Sequence, residues 1–300
     1  MEQNKELCNK EGITEKLGVP SELSEDALEI ILGLSECADG ETSVAFCYLD
    51  EVLYARVFDG ERYLFPLPFM LSDRADAEAS CLNLAAYSVR EMVPLIITDV
   101  PRDEIAFLQS VFPHIDAFTY EDDDDCFFVK VNNECDMLTE LPSVQHEGLV
   151  LDALCDSDKE RYAELCRDRD LNKYWGYDAD SDNPDGDADF YLAVPRREFN
   201  DGVAITLAVR EGDELVGEAT VYGFDFRGAA SIAVRVLSGC HSRGIGSRAT
   251  AALIKLAKEI GLSTLKAEIL NENEVSIKMT SKFMDVDKCT KSKTHFTLSL

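Results

Sequence analysis

Residues 234–248 read Val-Arg-Val-Leu-Ser-Gly-Cys-His-Ser-Arg-Gly-Ile-Gly-Ser-Arg, an apolar strand running into a short glycine-bearing turn. The turn opens a helix over residues 249–260, where Ala252, Leu253, Leu256, Ala257 and Ile260 repeat at the spacing of a buried stripe. A strand, turn and helix joined in this way leave several backbone N–H groups free at the positive end of the helix, a site for phosphate oxygens. The groups expected to take part are those of His241, Ser242, Arg243, Gly244, Ile245, Gly246 and Ser247. Gly244 and Gly246 carry no Cβ, so a ligand can approach the backbone closely. Arg243 and Arg248 bring positive charge to the same mouth. The spacing fits neither a P-loop nor the six-residue dinucleotide fingerprint.

The charge of the chain is uneven. Its formal net charge is -29, and residues 1–143 hold 9 Lys and Arg against 31 Asp and Glu. Residues 241–300 reverse the balance, with 10 Lys and Arg against 6 Asp and Glu. So acidic a chain repels nucleic acid and anionic membranes, and neither is expected as a partner. Hydrophobic residues make up 46% of the 300, enough to bury real cores in two domains. The 10 cysteines form no Cys-x-x-Cys pair and no Cys/His cluster, so no structural zinc is expected. Asp178, Asp180 and Asp182 have the alternation of a calcium loop, but the glycine and the closing glutamate of that loop are missing. No metal is expected. Residues 1–16 lack the apolar segment of a signal peptide and no run approaches a membrane span, which points to a cytoplasmic protein.

Two α/β domains are expected, 1–143 and 144–300, each with a mostly antiparallel mixed sheet flanked by helices. In the first, the pattern predicts a helix at 22–37, strands at 43–49, 52–58 and 63–68, a helix at 73–92, a strand at 94–99 and another at 126–131. In the second it predicts a strand at 147–154, a helix at 159–169 and an acidic loop at 178–189. Strands follow at 203–210, 214–224 and 231–237, then the glycine turn and its helix, a strand at 264–270, a helix at 274–283 and a closing strand at 295–300.

That order, together with the turn, resembles the GNAT acyltransferases over roughly residues 145–300. Their pyrophosphate loop reads Arg/Gln-x-x-Gly-x-Gly/Ala, with His241 here at its first place. Asn172-Lys-Tyr-Trp-Gly-Tyr-Asp178 and Asn273-x-x-Ser276-x-Lys278-Met279-x-x-Lys282 look most like the ribosomal-protein N-acetyltransferases. In the first domain, residues 61–69 and 122–138 resemble part of the GNAT-related aminoacyl transferases, without a phosphate turn. The resemblance implies two GNAT-like domains, only the second with a splayed fourth and fifth strand that holds acetyl-CoA. It implies that Val234 and Val236 offer backbone groups to the pantetheine arm, and that Asn273 lies beside that arm. Asn273 is equally readable as a helix N-cap.

The implied reaction is acetyl transfer to a primary amine of a small molecule or peptide N-terminus. Many acidic residues would draw a cationic acceptor toward Tyr174 and Trp175, the expected acceptor region. Where the family often carries a glutamate base, this chain has Ser231; Thr280 stands at the usual tyrosine, and Met284-Asp285 replaces Gly-Phe. Glu218 is the candidate replacement base, although a polar residue amid Val216, Ala219 and Val221 reads more simply as facing the wet side of a sheet. The alternative reading is a GNAT-like protein that binds acyl-CoA and turns over poorly. Aminoacyl transfer from charged tRNA is disfavoured by the net charge.

Overall fold

A computed structural model describes residues 43–49, 52–59, 61–67, 74–91, 95–120, 123–175 and 183–300. The helix expected at 22–37 and the aspartates at 178–182 lie outside them. The chain divides into two compact units, Met1–Asn132 and Asn133–Leu300.

In the first unit, β1 (Ser43–Leu49), β2 (Val52–Asp59) and β3 (Glu61–Leu67) form an antiparallel meander. Helix α1 (Arg74–Glu91) returns the chain so that β4 (Leu95–Pro101) pairs parallel with β1. Ala77, Cys81, Leu84 and Ala85 recur on one face of α1 and are buried. Helix α2 (Ile105–Val111), β5 (Ile115–Tyr120) and β6 (Asp123–Val131) complete a six-stranded sheet ordered β3-β2-β1-β4-β6-β5.

The second unit is built on an eight-stranded sheet. It opens with a hairpin, β7 (Val144–His146) and β8 (Leu149–Asp152), turned at Glu147 and Gly148, both with positive φ. The strand expected at 147–154 is β8, shortened at its start because Glu147 and Gly148 in the left-handed region reverse the chain; β7 before that turn was not expected. Helices α3 (Lys159–Arg167), α4 (Arg169–Asn172) and α5 (Ala188–Asn200) follow. Strands β9 (Ala204–Glu211), β10 (Glu214–Tyr222) and β11 (Ala229–Val236) form a second meander. Helix α6 (Ile245–Glu259) then crosses back to β12 (Thr264–Leu270), which runs parallel to β11. Helix α7 (Glu274–Thr280) leads to a hairpin of β13 (Asp285–Cys289) and β14 (Lys293–Ser299). The order is β13-β14-β12-β11-β10-β9-β8-β7, antiparallel throughout except for β11 and β12.

Helices cover both faces of this sheet. Side chains of neighbouring strand residues point to opposite faces. Arg235 reaches Cys166 of α3, whereas a Cβ on Gly246 of α6 would stand 3.9 Å from a Val236 methyl. Helix α3 and helix α6 thus lie on opposite sides. Consistently, Ala204–Val209 on β9 and Leu215–Val221 on β10 are buried at every residue, as strands between two helical layers must be. Residues 133–143 pack within this unit: Cys135 lies in its core, and Asn133 Nδ2 donates to the Gly202 carbonyl at 2.9 Å.

Candidate active site

The sheet opens at one place. Strands β11 and β12 pair only at Ala229–Thr264, Ala230–Leu265 and Ser231–Lys266. Beyond Ser231, β11 stays with β10 as far as Val236, and β12 stays with β14 as far as Leu270. A wedge therefore separates residues 232–236 from residues 267–270. The Leu237 N–H donates to the Val216 carbonyl at 2.9 Å, which sets the alternation of the β10–β11 ladder. Arg235 then faces Glu218 as a hydrogen-bonded pair, and the N–H and C=O of Val234 and Val236 turn away from β10, into the wedge.

The glycine turn stands at the end of β11. A 3-10 turn over Ser238–Cys240 leads to His241, Ser242 at φ +62° and Gly244 at φ +73°, the N-cap of α6. Gly244 supplies the left-handed backbone that an L side chain rarely adopts. The Arg248 N–H closes the first helical turn onto the Gly244 carbonyl at 3.1 Å. The N–H groups of Ile245, Gly246 and Ser247 have no carbonyl one turn earlier in the helix, so they are left for an outside acceptor. His241 Nε2 donates to the Val236 carbonyl at 2.9 Å and so reaches the wedge edge. Arg243 and Arg248 do not stand beside the turn as lone charges. Both pair with Glu211, whose carboxyl is held below its usual range first by the Arg248 hydrogen bond. Arg248 also donates to the Glu147 carbonyl at 2.9 Å, tying α6 to the β7–β8 turn.

An open parallel pair with a helix N-terminus at its end is the feature the family resemblance implied, and residues 148–283 match the family model described as the acetyltransferase (GNAT) domain. This chain carries a GNAT domain. Comparison with curated proteins gives no match. Among solved structures, a GNAT-family acetyltransferase from Bacillus anthracis aligns over 53% of this chain and 98% of its own, at 19% identity and a TM-score of 0.44. The ribosomal L7/L12 α-N-protein acetyltransferase RimL aligns over 53% and 94%, at 13% identity and 0.47. A spermidine N-acetyltransferase from Vibrio cholerae, solved with CoA and spermine, aligns over 51% and 95%, at 13% identity and 0.43.

On the α3 side of the wedge, the GNAT domain buries an ion pair. Arg235 Nε donates to Glu218 Oε1 at 2.7 Å; Glu218 is 2% exposed and Arg235 8%. Glu218 is therefore not on a wet face. The simpler expectation assumed one exposed side to the sheet, and α3 covers that side. Arg235 Nη1 donates to Asn172 Oδ1, and the guanidinium lies over the Trp175 ring, 4.6 Å from its centroid. Burial opposes the charge of Arg235, yet Glu218 holds its proton more firmly than usual. Burial and then Glu218 push the Tyr162 phenol well above its ordinary range. The Cys166 thiol is pushed up to about 11, chiefly by burial, and is no nucleophile near neutral pH. Burial likewise raises the Glu198 carboxyl, with Glu218 adding to the rise.

The remaining expected positions are spread around the wedge. Asn273 caps α7, its Oδ1 accepting the Ser276 N–H at 3.2 Å. Tyr174 Oη donates to the Glu272 carbonyl at 3.4 Å, just past the end of β12. Ser231 is the last residue of β11 paired with β12, and Thr280 is buried at the end of α7. Asp168 caps α4 and accepts from Ser238 Oγ at 2.5 Å, joining that helix to the glycine turn. Among the described residues no group of three or more His, Cys, Asp or Glu is arranged to hold a metal.

Two residues of the site escaped sequence reasoning. Arg235 lies within an apolar strand, and a lone arginine there is the signal for a buried partner. Gly217 sits at an irregularity in the β9–β10 register, where any Cβ would collide with β11.

Proposed function

We propose that the GNAT domain is an acyl-CoA-dependent N-acyltransferase, moving acetyl from acetyl-CoA to an amine. The observation that carries this reading is the wedge between β11 and β12, with the N-terminus of α6 at its end. Coenzyme A would bring a pyrophosphate, two pantetheine amides and a thioester, which supplies the activated acyl group. The residues present fit it. The N–H groups of residues 245–247 suit the pyrophosphate oxygens, and no side chain stands at Gly246 to block them. The backbone groups of Val234 and Val236 suit the pantetheine amides. Asn273 would flank the arm from the far lip.

Such an arrangement works mainly by orientation. Backbone groups on one strand hold the acyl carbonyl still, and an N–H of that strand stabilises the negative charge that grows on its oxygen. The amine must arrive without its proton. Ser231 and Thr280 offer no base near neutral pH, and Glu218 is sealed from solvent with one oxygen held by Arg235. This supports delivery of an amine already neutral from solvent rather than a carboxylate base. The rate should then climb with pH until the amine's own pKa, with no plateau set by a carboxylate. The acidic chain favours a cationic acceptor class, which on this reading would meet Tyr174 and Trp175 on entry.

The test is release of free thiol from acetyl-CoA across a panel of primary amines and basic peptides, alongside calorimetric binding of coenzyme A. Thiol release dependent on an amine supports the reading. Coenzyme A binding without thiol release for any acceptor would favour the second reading, an acyl-CoA-binding protein of slow turnover, which the absence of a base at Ser231 and Thr280 supports. Failure of both measurements would contradict either reading.

A further inference from the structure

Three of the four residues 172–175 reach the lips of the wedge. Asn172 and Trp175 are held by Arg235, which belongs to β11, while Tyr174 reaches the Glu272 carbonyl beyond the end of β12. The short helix α4, which ends at Asn172, is capped by Asp168, which Ser238 ties to the glycine turn. The segment 172–175 therefore spans the opening on the α3 face. Its hold on β11 runs through one guanidinium, and that guanidinium is kept in place by Glu218 from the neighbouring strand.

We infer that Arg235 is a positioning residue for the acceptor wall, with Glu218 as its anchor: the buried pair fixes Trp175, and Trp175 sets where the amine meets the acyl group. The inference rests on the acyltransfer reading and deepens it. The chemistry of arginine suits the task. A flat guanidinium offers one face to an aromatic ring while its edge donates to Glu218 and Asn172 together, and a lysine ammonium cannot do all three. The thiol of Cys166, 3.8 Å from Arg235 Nη2, completes the lining beneath. The pair touches neither the glycine turn nor the backbone groups of Val234 and Val236 that face the wedge, so it bears on the acceptor and not on coenzyme A.

Trp175 is the chain's only tryptophan, so its emission reports this segment alone. The test uses the full chain and two variants. Arg235→Lys keeps a charge for Glu218; Arg235→Met with Glu218→Gln removes both charges and so leaves no unpaired ion in the core. In the ligand-free protein, acrylamide quenching of Trp175 should rise about twofold in both variants as the ring loses its partner face. With the best amine, the acceptor KM should rise about tenfold while coenzyme A affinity stays within about twofold. Unchanged quenching in both variants would overturn the inference. So would an unchanged acceptor KM in a variant whose Trp175 has come loose, or coenzyme A affinity falling in step with acceptor affinity. Quenching is read without ligand or turnover, so an inactive wild type would strike the acyltransfer reading and leave the Trp175 contact to be judged on its own.

Discussion

A Cβ built on Gly217 would stand 2.2 Å from the backbone carbonyl oxygen of Arg235. Strands β10 and β11 are thus pressed together near the end of β11, beyond the point where it has left β12, and only glycine permits the approach. The obstacle is backbone, which cannot rotate aside. Gly217→Ala should cost at least about 2 kcal/mol of stability. Urea unfolding of the variant checks this, and a midpoint equal to that of the wild type would show that β11 can shift freely.

Asp158 joins the start of α3 to the sheet. Both its oxygens accept from Arg210, at 2.6 and 2.7 Å, and Arg210 also grips Asp152 at 2.7 Å. Burial works against the charged carboxylate, but the Arg210 hydrogen bonds and those from Cys155 outweigh it and bring Asp158 down to about 2. A carboxyl with a depressed folded pKa stabilises fully above its unfolded value, near 4, and loses that contribution as pH falls toward 2. The contribution is about 2 kcal/mol at neutral pH. Stability measured between pH 5 and pH 2 should fall more steeply in the wild type than in Asp158→Asn, and parallel curves would remove Asp158 from the account.

Asn273 offers two groups with separable duties. Its Oδ1 caps α7, so Asn273→Ala should cost about 1 kcal/mol. Asn273→Asp retains a capping oxygen and suits a helix N-terminus, so stability should stay within about 0.5 kcal/mol. If the amide nitrogen serves the pantetheine arm, the aspartate variant should still lose about tenfold in coenzyme A affinity. Equal affinity in a stable Asn273→Asp protein would leave the cap as the whole role of this residue.

How far the sequence could be read depends on where the determining contacts lie. The glycine turn was legible because its requirements are local: a left-handed residue at Gly244, then a helix with a clean apolar stripe. The meander β9–β11 was legible from its turns and apolar runs. Helix α5 was not foreseen, because Pro195 lies inside it and its opening is acidic. Strand β13 was missed because all five of its residues are exposed at the sheet edge, where no apolar alternation is imposed. The wet-face reading of Glu218 failed for a different reason. Its partner Arg235 lies on the next strand, and their pairing depends on the β10–β11 register, which no local pattern reveals. The same holds for the pairing of Arg243 and Arg248 with Glu211, which lies far from them in sequence.

The central claim is that the first turn of α6 holds the pyrophosphate of coenzyme A, and Gly246→Glu tests it most directly. A Cβ there meets only a Val236 methyl, at 3.9 Å, and an acidic residue in a helical first turn favours the helix. The variant should therefore be at least as stable as the wild type. Calorimetric titration should show coenzyme A binding one site on the wild type and at least about a hundredfold weaker binding to Gly246→Glu, since a carboxylate would occupy the place of phosphate oxygens. Equal affinity in the two proteins would contradict the account.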